Sequence, residues 1–307
     1  MHSVTLKQLR YFDAVAKHLH FGRAAQACCV TQPALSMQIQ ELESSLQTTL
    51  IERARSGLRL TVAGEGIAGR AARVLADVDD LVSQCLHGAD LMTGPLRLGV
   101  IPSVAPYLLP QLLAQLKAQY PRLELHVRET QTKPLLEELL DGRLDVLLLA
   151  LPVTGVECAT LALFEDRFWL AVPQSYPLSA ALGATREMIA GERLLLLEEG
   201  HCLRDQALTY CDVRQVSSVN TFGMSSLATL AGMVAAGHGI TLLPDICLEV
   251  ETRGRKIKVA RFEAPEPFRT LGLAWRPSSP RGADFVELGR LLLGSRPQGI
   301  TPASSSS

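Results

Sequence analysis

Two cysteines, Cys202 and Cys211, lie nine residues apart in the segment "EEGHCLRDQALTYC" (198–211), which otherwise has the composition of a helix. Thiols at this spacing have four possible roles: part of a metal site, a structural disulfide, unrelated buried side chains, or a redox switch. A zinc site needs two further ligands, and the nearest candidate, His201, would diverge from Cys202 on a helix. The pair by itself therefore disfavours zinc and leaves the other roles open.

Helical geometry limits how these two thiols can meet. If 202–211 is a helix, a rise of about 1.5 Å per residue separates the two Cα atoms by about 13 Å, whereas a disulfide needs them within roughly 7 Å. A bond between them requires the helix to unwind, which favours a two-state element over a permanent bond. Cys202 would also lie near the helix N-terminus, where free N–H groups stabilise a thiolate.

Two hydroxyl side chains are predicted to lie at turns from a strand to a helix. Ser103 follows "GVIP", and Thr132 follows "LHVRETQ" directly ahead of a predicted helix. The free N–H groups of such a turn point toward a bound molecule, so both residues are candidates for ligand binding. A simple helix N-cap explains each of them equally well.

The sequence carries no motif of a known enzyme class. It lacks G-x-S-x-G, H-E-x-x-H, a phosphate-binding loop and a dinucleotide fingerprint, and its seven histidines show no metal-ligand spacing. We therefore expect a protein that is not an enzyme and that has no cofactor and no metal. The remaining cysteines are predicted to be small buried hydrophobic residues, with the first two adjacent in a helix: Cys28, Cys29, Cys85, Cys158 and Cys247.

Length and composition indicate a globular protein of two or three domains. The chain has 307 residues, 47% hydrophobic and 20% charged, which is an ordinary globular balance. It has no apolar run long enough to span a membrane, and its N-terminus lacks the layout of a secretory signal. We therefore expect a cytoplasmic protein without membrane association. Thiols are reduced in that compartment, so any disulfide there would be transient and functional.

The first sixty residues predict a helix-turn-helix. Helices are expected over roughly 6–17 and 21–30, and a third begins after Thr31, with Pro33 in its first turn. Its apolar stripe comprises Leu35, Ile39, Leu42 and Leu46. The opposite face carries polar side chains that can bind base edges: Gln32, Ser36, Gln38 and Gln40. Residues 1–61 also carry an excess of three positive charges, which permits nucleic-acid binding. An all-helical packing domain is the alternative.

A basic hairpin and a long helix follow. The segment "LIERARSGLRLT" predicts two short strands around Ser56–Gly57, a wing suited to phosphate contacts. The predicted DNA contacts of the whole domain are Phe21, Arg23, Thr31, Gln32, Pro33, Ala34, Ser36, Gln38, Gln40, Arg53, Arg55 and Arg59. From Thr61 to about Met92 apolar residues follow heptad spacing, which predicts a helix that pairs with a second copy: Ile67, Ala71, Val74, Val78, Leu81 and Cys85. A helix lying on its own domain would show a similar stripe.

From Leu96 the pattern alternates between strands and helices, which predicts an α/β domain. Apolar runs typical of strands covered on both faces are "LRLGVI", "LELHVRET", "DVLLLAL", "FWLAVP", "RLLLLEEG", "GITLLP" and "TLGLAWRP". Helices are predicted at 106–119, 132–141, 225–236 and 282–293. Ligands of such folds bind near the carboxyl ends of the strands.

The segment "AAQACCVTQPALSMQIQELESSLQTTLIERARSGLRLTVAG" resembles the winged helix-turn-helix of LysR-type transcriptional regulators, and the resemblance extends along the whole chain. "GHCLRDQALTYC", "GVIPSVAPYLLP" and "MVAAGHGITLLP" are similar to segments of the members that sense hydrogen peroxide. The resemblance implies a winged helix-turn-helix over 1–61, a linker helix over 62–92 and a two-lobed α/β regulatory domain over 93–295. Lobe I would comprise 93–166 with 270–295, lobe II would comprise 167–269, and a disordered tail would follow over 296–307.

The resemblance also implies a redox mechanism. In that family the residue at Cys202 attacks hydrogen peroxide and becomes a sulfenic acid, and the residue at Cys211 condenses with it to a disulfide. Glutaredoxin or thioredoxin then reduces the bond. The resemblance implies a peroxide pocket that consists of Cys202 and the residues Ser103, Thr132, His201, Asp205 and Arg269. The implied partners are double-stranded DNA, further copies of the chain in a homodimer or homotetramer, and RNA polymerase.

The chain departs from the pattern of that family at three positions. Ser103 stands where threonine is common, which keeps the hydroxyl but loses a methyl group. Gly223 and Ala231 stand where relatives carry arginines, which bears on the contacts of the segment that refolds. A LysR-type regulator that senses a small metabolite in the cleft between the lobes is the alternative function. A thiol peroxidase or disulfide oxidoreductase is disfavoured because there is no C-x-x-C.

Overall fold

The computed structural model describes residues 4–54, 57–86, 91–178, 183–211, 218–220 and 224–295, with the backbone only of 53, 54, 83–86, 211 and 218–220. The chain divides into two units, one formed mainly by the elements up to residue 86 and the other by those that follow. The elements of the first unit are α1 (Leu6–His18), α2 (Phe21–Ala27), α3 (Gln32–Leu46), β1 (Ile51–Ala54), β2 (Gly57–Leu60) and α4 (Val62–Leu86).

The first unit is a winged helix-turn-helix, as predicted. Phe12 of α1 and Leu35 and Leu42 of α3 are fully buried in its core. Thr31 occupies the N-cap position of α3, although its hydroxyl makes no capping bond. Strands β1 and β2 pair antiparallel, which confirms the hairpin. The residues at its tip, Arg55 and Ser56, lie outside the described range.

Helix α2 is shorter than predicted, and this changes the account of two cysteines. Cys28 is its C-cap, and Cys29 follows with a left-handed φ of 54°, because the chain turns there toward α3. The expectation that both lie within a helix as buried side chains is wrong: Cys29 is exposed and Cys28 is only half-buried. Cys158 is also half-buried and Cys247 is buried, while the side chain of Cys85 lies outside the described part.

The linker helix α4 packs on its own unit at one end and exposes apolar residues further along. Ile67 and Ala71 contact the N-terminal core, as the alternative interpretation expected for the whole helix. Val74 is 42% exposed and Leu81 is 64% exposed, as a helix that pairs with a second copy would require. The prediction that the helix reaches Met92 is wrong, because Met92 has a φ of 55° and is buried in the core of the second unit.

The second unit contains nine strands and six helices within the part of the chain that the structure describes. They are β3 (Gly94–Val100), α5 (Ala105–Gln119), β4 (Leu123–Glu129), α6 (Thr132–Leu140), β5 (Val146–Leu151), β6 (Ala159–Pro173), β7 (Arg193–Leu195), α7 (Cys202–Cys211), β8 (Ser218–Asn220), α8 (Leu227–Ala235), β9 (Thr241–Pro244), α9 (Asp245–Thr252), β10 (Ile257–Arg261), β11 (Phe268–Trp275) and α10 (Gly282–Gly294). Each predicted apolar run contains one observed strand. Strands β8 and β10 and helix α9 were not predicted.

One mixed sheet connects the two lobes of this α/β unit, in agreement with the predicted fold class. Its order is β10-β6-β11-β5-β3-β4, and β9 also pairs with β6. Strand β3 is parallel to β4 and β5, whereas β11 and β6 are antiparallel. Long strand β6 contributes Phe164 to one hydrophobic core and Phe168 to the other. Strands β6 and β11 therefore form the connection between lobe I and lobe II.

No helix within the described ranges is long and apolar enough to cross a membrane.

A close approach in the first unit predicts an effect on stability. Helix α4 passes so near to Leu50 that a Cβ atom at Gly64 would collide with the backbone oxygen of Leu50, whereas a Cβ atom at Gly66 would meet nothing within 4 Å. We expect Gly64→Ala to lower the free energy of unfolding by about 2 kcal/mol through overpacking. Gly66→Ala should raise it by about 0.5–1 kcal/mol because alanine is the better helix former. Calorimetric melting of both variants tests this, and equal melting temperatures would contradict it.

Candidate functional site

The predicted helix between the two cysteines is present. Helix α7 begins at Cys202 and ends at Cys211, so a rise of about 1.5 Å per residue places their Cα atoms about 13 Å apart. This is beyond the reach of a disulfide. Cys202 is half-buried and packs against the core of lobe I, although α7 itself packs mainly on lobe II. The first cysteine of the pair therefore lies where the two lobes meet.

The turn ahead of Cys202 rests against lobe I. Gln131 Nε2 donates a hydrogen bond to the backbone oxygen of Glu199 at 3.1 Å. Gly200 has a φ of +90°, and a Cβ atom there would collide with the Gln131 side chain, so both backbone conformation and space favour glycine. Because Gln131 precedes Thr132, the first residue of α6, the N-terminal end of α6 lies beside the turn that leads into α7.

A buried ion pair contains Arg269 and contacts Ser103, two of the predicted pocket residues. Arg269 of β11 and Asp166 of β6 are direct partners in the sheet, and both side chains are fully buried. Arg269 Nε donates to Asp166 Oδ2 at 2.8 Å, and Arg269 Nη1 donates to Ser103 Oγ at 2.8 Å. The backbone N–H of Ile246 donates to Asp166 Oδ1 at 3.1 Å. The network therefore joins the loop before α5 in lobe I to the start of α9 in lobe II.

Charge and burial oppose each other at this pair. Burial raises the pKa of the Asp166 carboxyl, while the Arg269 guanidinium and the Ile246 amide act against that rise. Arg269 approaches Asp166 Oδ2 with both Nε and Nη2 at 2.8 Å, so the carboxylate form is the one that the geometry suits. Neither charge has access to water, so each depends on the other for compensation.

Two of the predicted pocket residues carry a hydroxyl group with capacity for a further polar molecule. The Ser103 Oγ atom accepts from Arg269, so its own proton is available to another acceptor. Thr132 Oγ1 is buried and has no hydrogen-bond partner among the described residues. A buried hydroxyl without a partner costs about 1–3 kcal/mol, so a small molecule with both donor and acceptor groups would stabilise the site.

The two remaining predicted pocket residues differ in their surroundings. His201 is only 5% exposed, and its Nε2 lies 3.7 Å from Glu198 Oε1. Asp205 is exposed and lines a separate cavity of about 480 Å³ on α7, so its position does not by itself favour a role beside Ser103. The other residues that line this cavity are Phe168, Arg186, Gln206, Thr209, Tyr210, Pro265, Glu266, Pro267 and Phe268.

Three of the other described cysteines are poorly suited to act as nucleophiles. Burial raises the pKa of the thiols of Cys28 and Cys158, and raises that of fully buried Cys247 well above its ordinary value. A raised pKa keeps a thiol protonated and therefore less nucleophilic. No cluster of three or more His, Cys, Asp or Glu side chains in the described part of the chain is arranged to hold a metal ion.

Sequence reasoning missed Asp166 and Gln131. An acidic residue inside an otherwise apolar strand run is a signal for Asp166, but its pairing with Arg269 follows from the register of two strands about a hundred residues apart. Gln131 had no signal beyond its position before Thr132.

The predicted DNA contacts lie on the surface of the first unit where they are described. Thr31, Gln32, Pro33, Ala34 and Gln40 are exposed, as are Arg23 and Arg59. Phe21 is half-buried against the core, and Ser36 and Gln38 are half-buried. The Gln38 amide donates to Glu41 Oε2 at 2.7 Å. The Arg53 side chain and the whole of Arg55 lie outside the described part.

Two family descriptions together cover almost the whole chain. Residues 6–65 match "Bacterial regulatory helix-turn-helix protein, lysR family", and residues 89–294 match "LysR substrate binding domain". The chain belongs to the LysR family. A protein of Streptomyces viridosporus described as a probable hydrogen peroxide-inducible genes activator is 46% identical over 292 residues, which are 94% of this chain and 93% of that protein.

Solved structures of OxyR resemble this member of the LysR family over nearly its full length. A cysteine-to-aspartate variant of full-length OxyR from Pseudomonas aeruginosa has a TM-score of 0.78 and 36% identity, covering 95% of this chain and 98% of that one. A cysteine-to-serine variant of Corynebacterium glutamicum OxyR with bound hydrogen peroxide has a TM-score of 0.64 and 34% identity, covering 95% and 94%. These matches confirm the resemblance to the peroxide-sensing members of the family that was inferred from the cysteine segment.

One departure from that family has a structural consequence. Ala231 lies in α8 and is fully buried, so an arginine would not fit there without repacking. Gly223 lies outside the described residues.

The buried pair predicts a large effect of a single substitution. Asp166→Asn leaves the Arg269 charge without its counter-ion, so we expect a loss of about 3 kcal/mol in the free energy of unfolding. Glu249→Gln is the matched control, because Glu249 and Arg253 form a pair at 2.6 Å that is exposed on both sides, and such pairs contribute little. Urea unfolding followed by the fluorescence of Trp169 and Trp275, both in the second unit, measures the difference. Similar midpoints for the two variants would contradict this assignment.

Proposed function

We propose that the protein is a DNA-binding transcriptional regulator that responds to hydrogen peroxide through Cys202. The observation that carries the proposal is the placement of Cys202 and Cys211 at the two ends of one helix. The names of the related proteins, an activator inducible by hydrogen peroxide and an OxyR variant with bound peroxide, support the choice of oxidant.

The chemistry proceeds in two balanced steps. The Cys202 thiolate attacks one oxygen of hydrogen peroxide, an S–O bond forms, the O–O bond breaks, and the departing hydroxide takes up a proton to become water. Sulfur loses two electrons and becomes a sulfenic acid. The Cys211 thiol then attacks that sulfur, an S–S bond replaces the S–O bond, and a second water leaves with the thiol proton. Glutaredoxin or thioredoxin reverses the change by reducing the disulfide.

The predicted pocket residues bind the peroxide and supply the proton. Ser103, held by Arg269, directs its O–H away from the guanidinium, and Thr132 offers a buried hydroxyl that has no other described partner. His201 completes the set from the turn before α7. Asp205 acts from the exposed side of α7, through water or after a change in its rotamer.

Formation of the disulfide unwinds α7 and refolds the 202–225 region. If this segment has two folds, the regulatory unit has two arrangements. A tetramer built from such chains then presents its winged helix-turn-helix domains to DNA in two ways. We propose that this changes the contact with RNA polymerase and thereby controls antioxidant genes. The exposed Val74 and Leu81 of α4 pair with a second copy of the chain, so that two DNA-binding domains reach the two half-sites of the operator.

A metabolite sensor is the second candidate. The free hydroxyl of Thr132 suits a small polar metabolite between the lobes as well as it suits peroxide. Counting free thiols after brief exposure to low micromolar peroxide distinguishes the two functions. Rapid loss of two thiols per chain excludes the metabolite sensor, and the persistence of all seven excludes the peroxide sensor.

Substitution of Cys202 tests the proposal at the level of DNA. We expect the operator footprint of the wild type to change on addition of peroxide and that of Cys202→Ser to remain in its reduced form, because the nucleophile is gone. Cys29→Ser is the control, since it removes an exposed thiol elsewhere in the chain and should respond as the wild type does. A footprint that still shifts in Cys202→Ser would rule out Cys202 as the sensor.

A further inference from the structure

The face of α3 that points away from the protein is centred on an apolar residue. Met37 is 54% exposed, although the side chains of Leu35, Ile39 and Leu42 in the same helix are fully or almost fully buried. At about 100° per residue, Met37 lies about 190° around the helix from the centre of that buried stripe. Met37 is therefore the large apolar side chain on the solvent-facing side of α3.

The neighbours of Met37 on the outward face of α3 are one apolar residue and several polar ones. Ala34, one turn earlier, is also exposed and adds a methyl group beside Met37. Gln38, which is predicted to contact DNA, is half-buried and donates one amide hydrogen to Glu41 Oε2 at 2.7 Å. Gln40 remains exposed on the same side as Met37. The outward face of α3 therefore presents an apolar centre, formed by Met37 and Ala34, beside the exposed amide of Gln40.

We infer that Met37 determines sequence specificity by contacting the 5-methyl group of thymine in the major groove. This inference rests on the proposed DNA-binding function. Among the base edges of that groove only thymine offers an apolar group, so an exposed apolar side chain at the centre of a reading helix matches thymine and no other base. Methionine suits such a contact because its unbranched side chain adapts its shape to the surface that it meets.

Duplex DNA fits this face better than a second copy of the chain. The apolar stripe suited to self-association lies on α4, where Val74 and Leu81 are exposed, and not on α3. Around Met37 the exposed groups are those that bind bases and phosphates, including Gln32 and Thr31 at the N-terminal end of the helix. If a protein partner occupied this part of α3 instead of DNA, the wild type would bind the thymine and deoxyuridine duplexes of the experiment below with equal affinity.

The test compares thymine with deoxyuridine, which differs only in lacking the methyl group. Sites are first selected with the full-length wild-type protein from a library of random duplexes, and each thymine of the consensus is then replaced singly by deoxyuridine. We expect about a fourfold loss of affinity at one symmetry-related position, the effect of removing one buried methyl group. Met37→Ala should bind the thymine and deoxyuridine duplexes with equal affinity.

Matched controls separate failure of this inference from failure of the proposed function. Val250→Ala shortens a side chain in α9 that is 60% exposed, and it should discriminate as the wild type does. Circular dichroism confirms that Met37→Ala is folded. Selective DNA binding by the wild type without any preference for thymine over deoxyuridine, or with a preference that Met37→Ala retains, overturns the role of Met37 alone. Failure of the wild type to select any sequence overturns the proposed DNA-binding function.

Discussion

The ten helical residues of α7 hold Cys202 and Cys211 too far apart for a disulfide bond. The rise of an α-helix places the backbones of Cys202 and Cys211 about 13 Å from each other, nearly twice the distance that a disulfide spans. The thiol form is thereby compatible with the helix and the disulfide form is not. In the proposed mechanism, a covalent change at one sulfur atom therefore selects between two folds of the segment, which is the property that a chemical sensor needs.

The buried network that connects the two lobes does not depend on α7. The buried network of Arg269, Asp166 and Ser103 draws its members from β11, β6 and the loop before α5, and the amide of Ile246 joins from α9. None of these described contacts comes from α7. The lobes can therefore remain connected through the ion pair while the helix at their junction refolds. The same guanidinium donates to Ser103, one of the residues proposed to bind the peroxide.

Local patterns predicted the parts of this molecule that depend on local structure. Helical spacing, capping and turn residues near one another in the chain predict helix α3, the hairpin after it and α7. The end of α2 and the place of Met92 were wrong because tertiary packing decides them: the chain turns sharply at Cys29, and the core of the second unit takes up Met92. The partnership of Asp166 with Arg269 could not be read from either strand alone, since it arises from their register. The exposure of Met37 depends on the angle at which α3 packs.

The central claim is that the helix and the disulfide exclude each other. Hydrogen exchange of the backbone amides in 202–211, followed by mass spectrometry of the reduced protein and of the protein after one equivalent of peroxide, tests it most directly. The account predicts that the amides are protected in the reduced form and lose that protection in the same molecules whose peptides contain the Cys202–Cys211 bond. Protection of the whole segment that persists in molecules carrying the disulfide would contradict it.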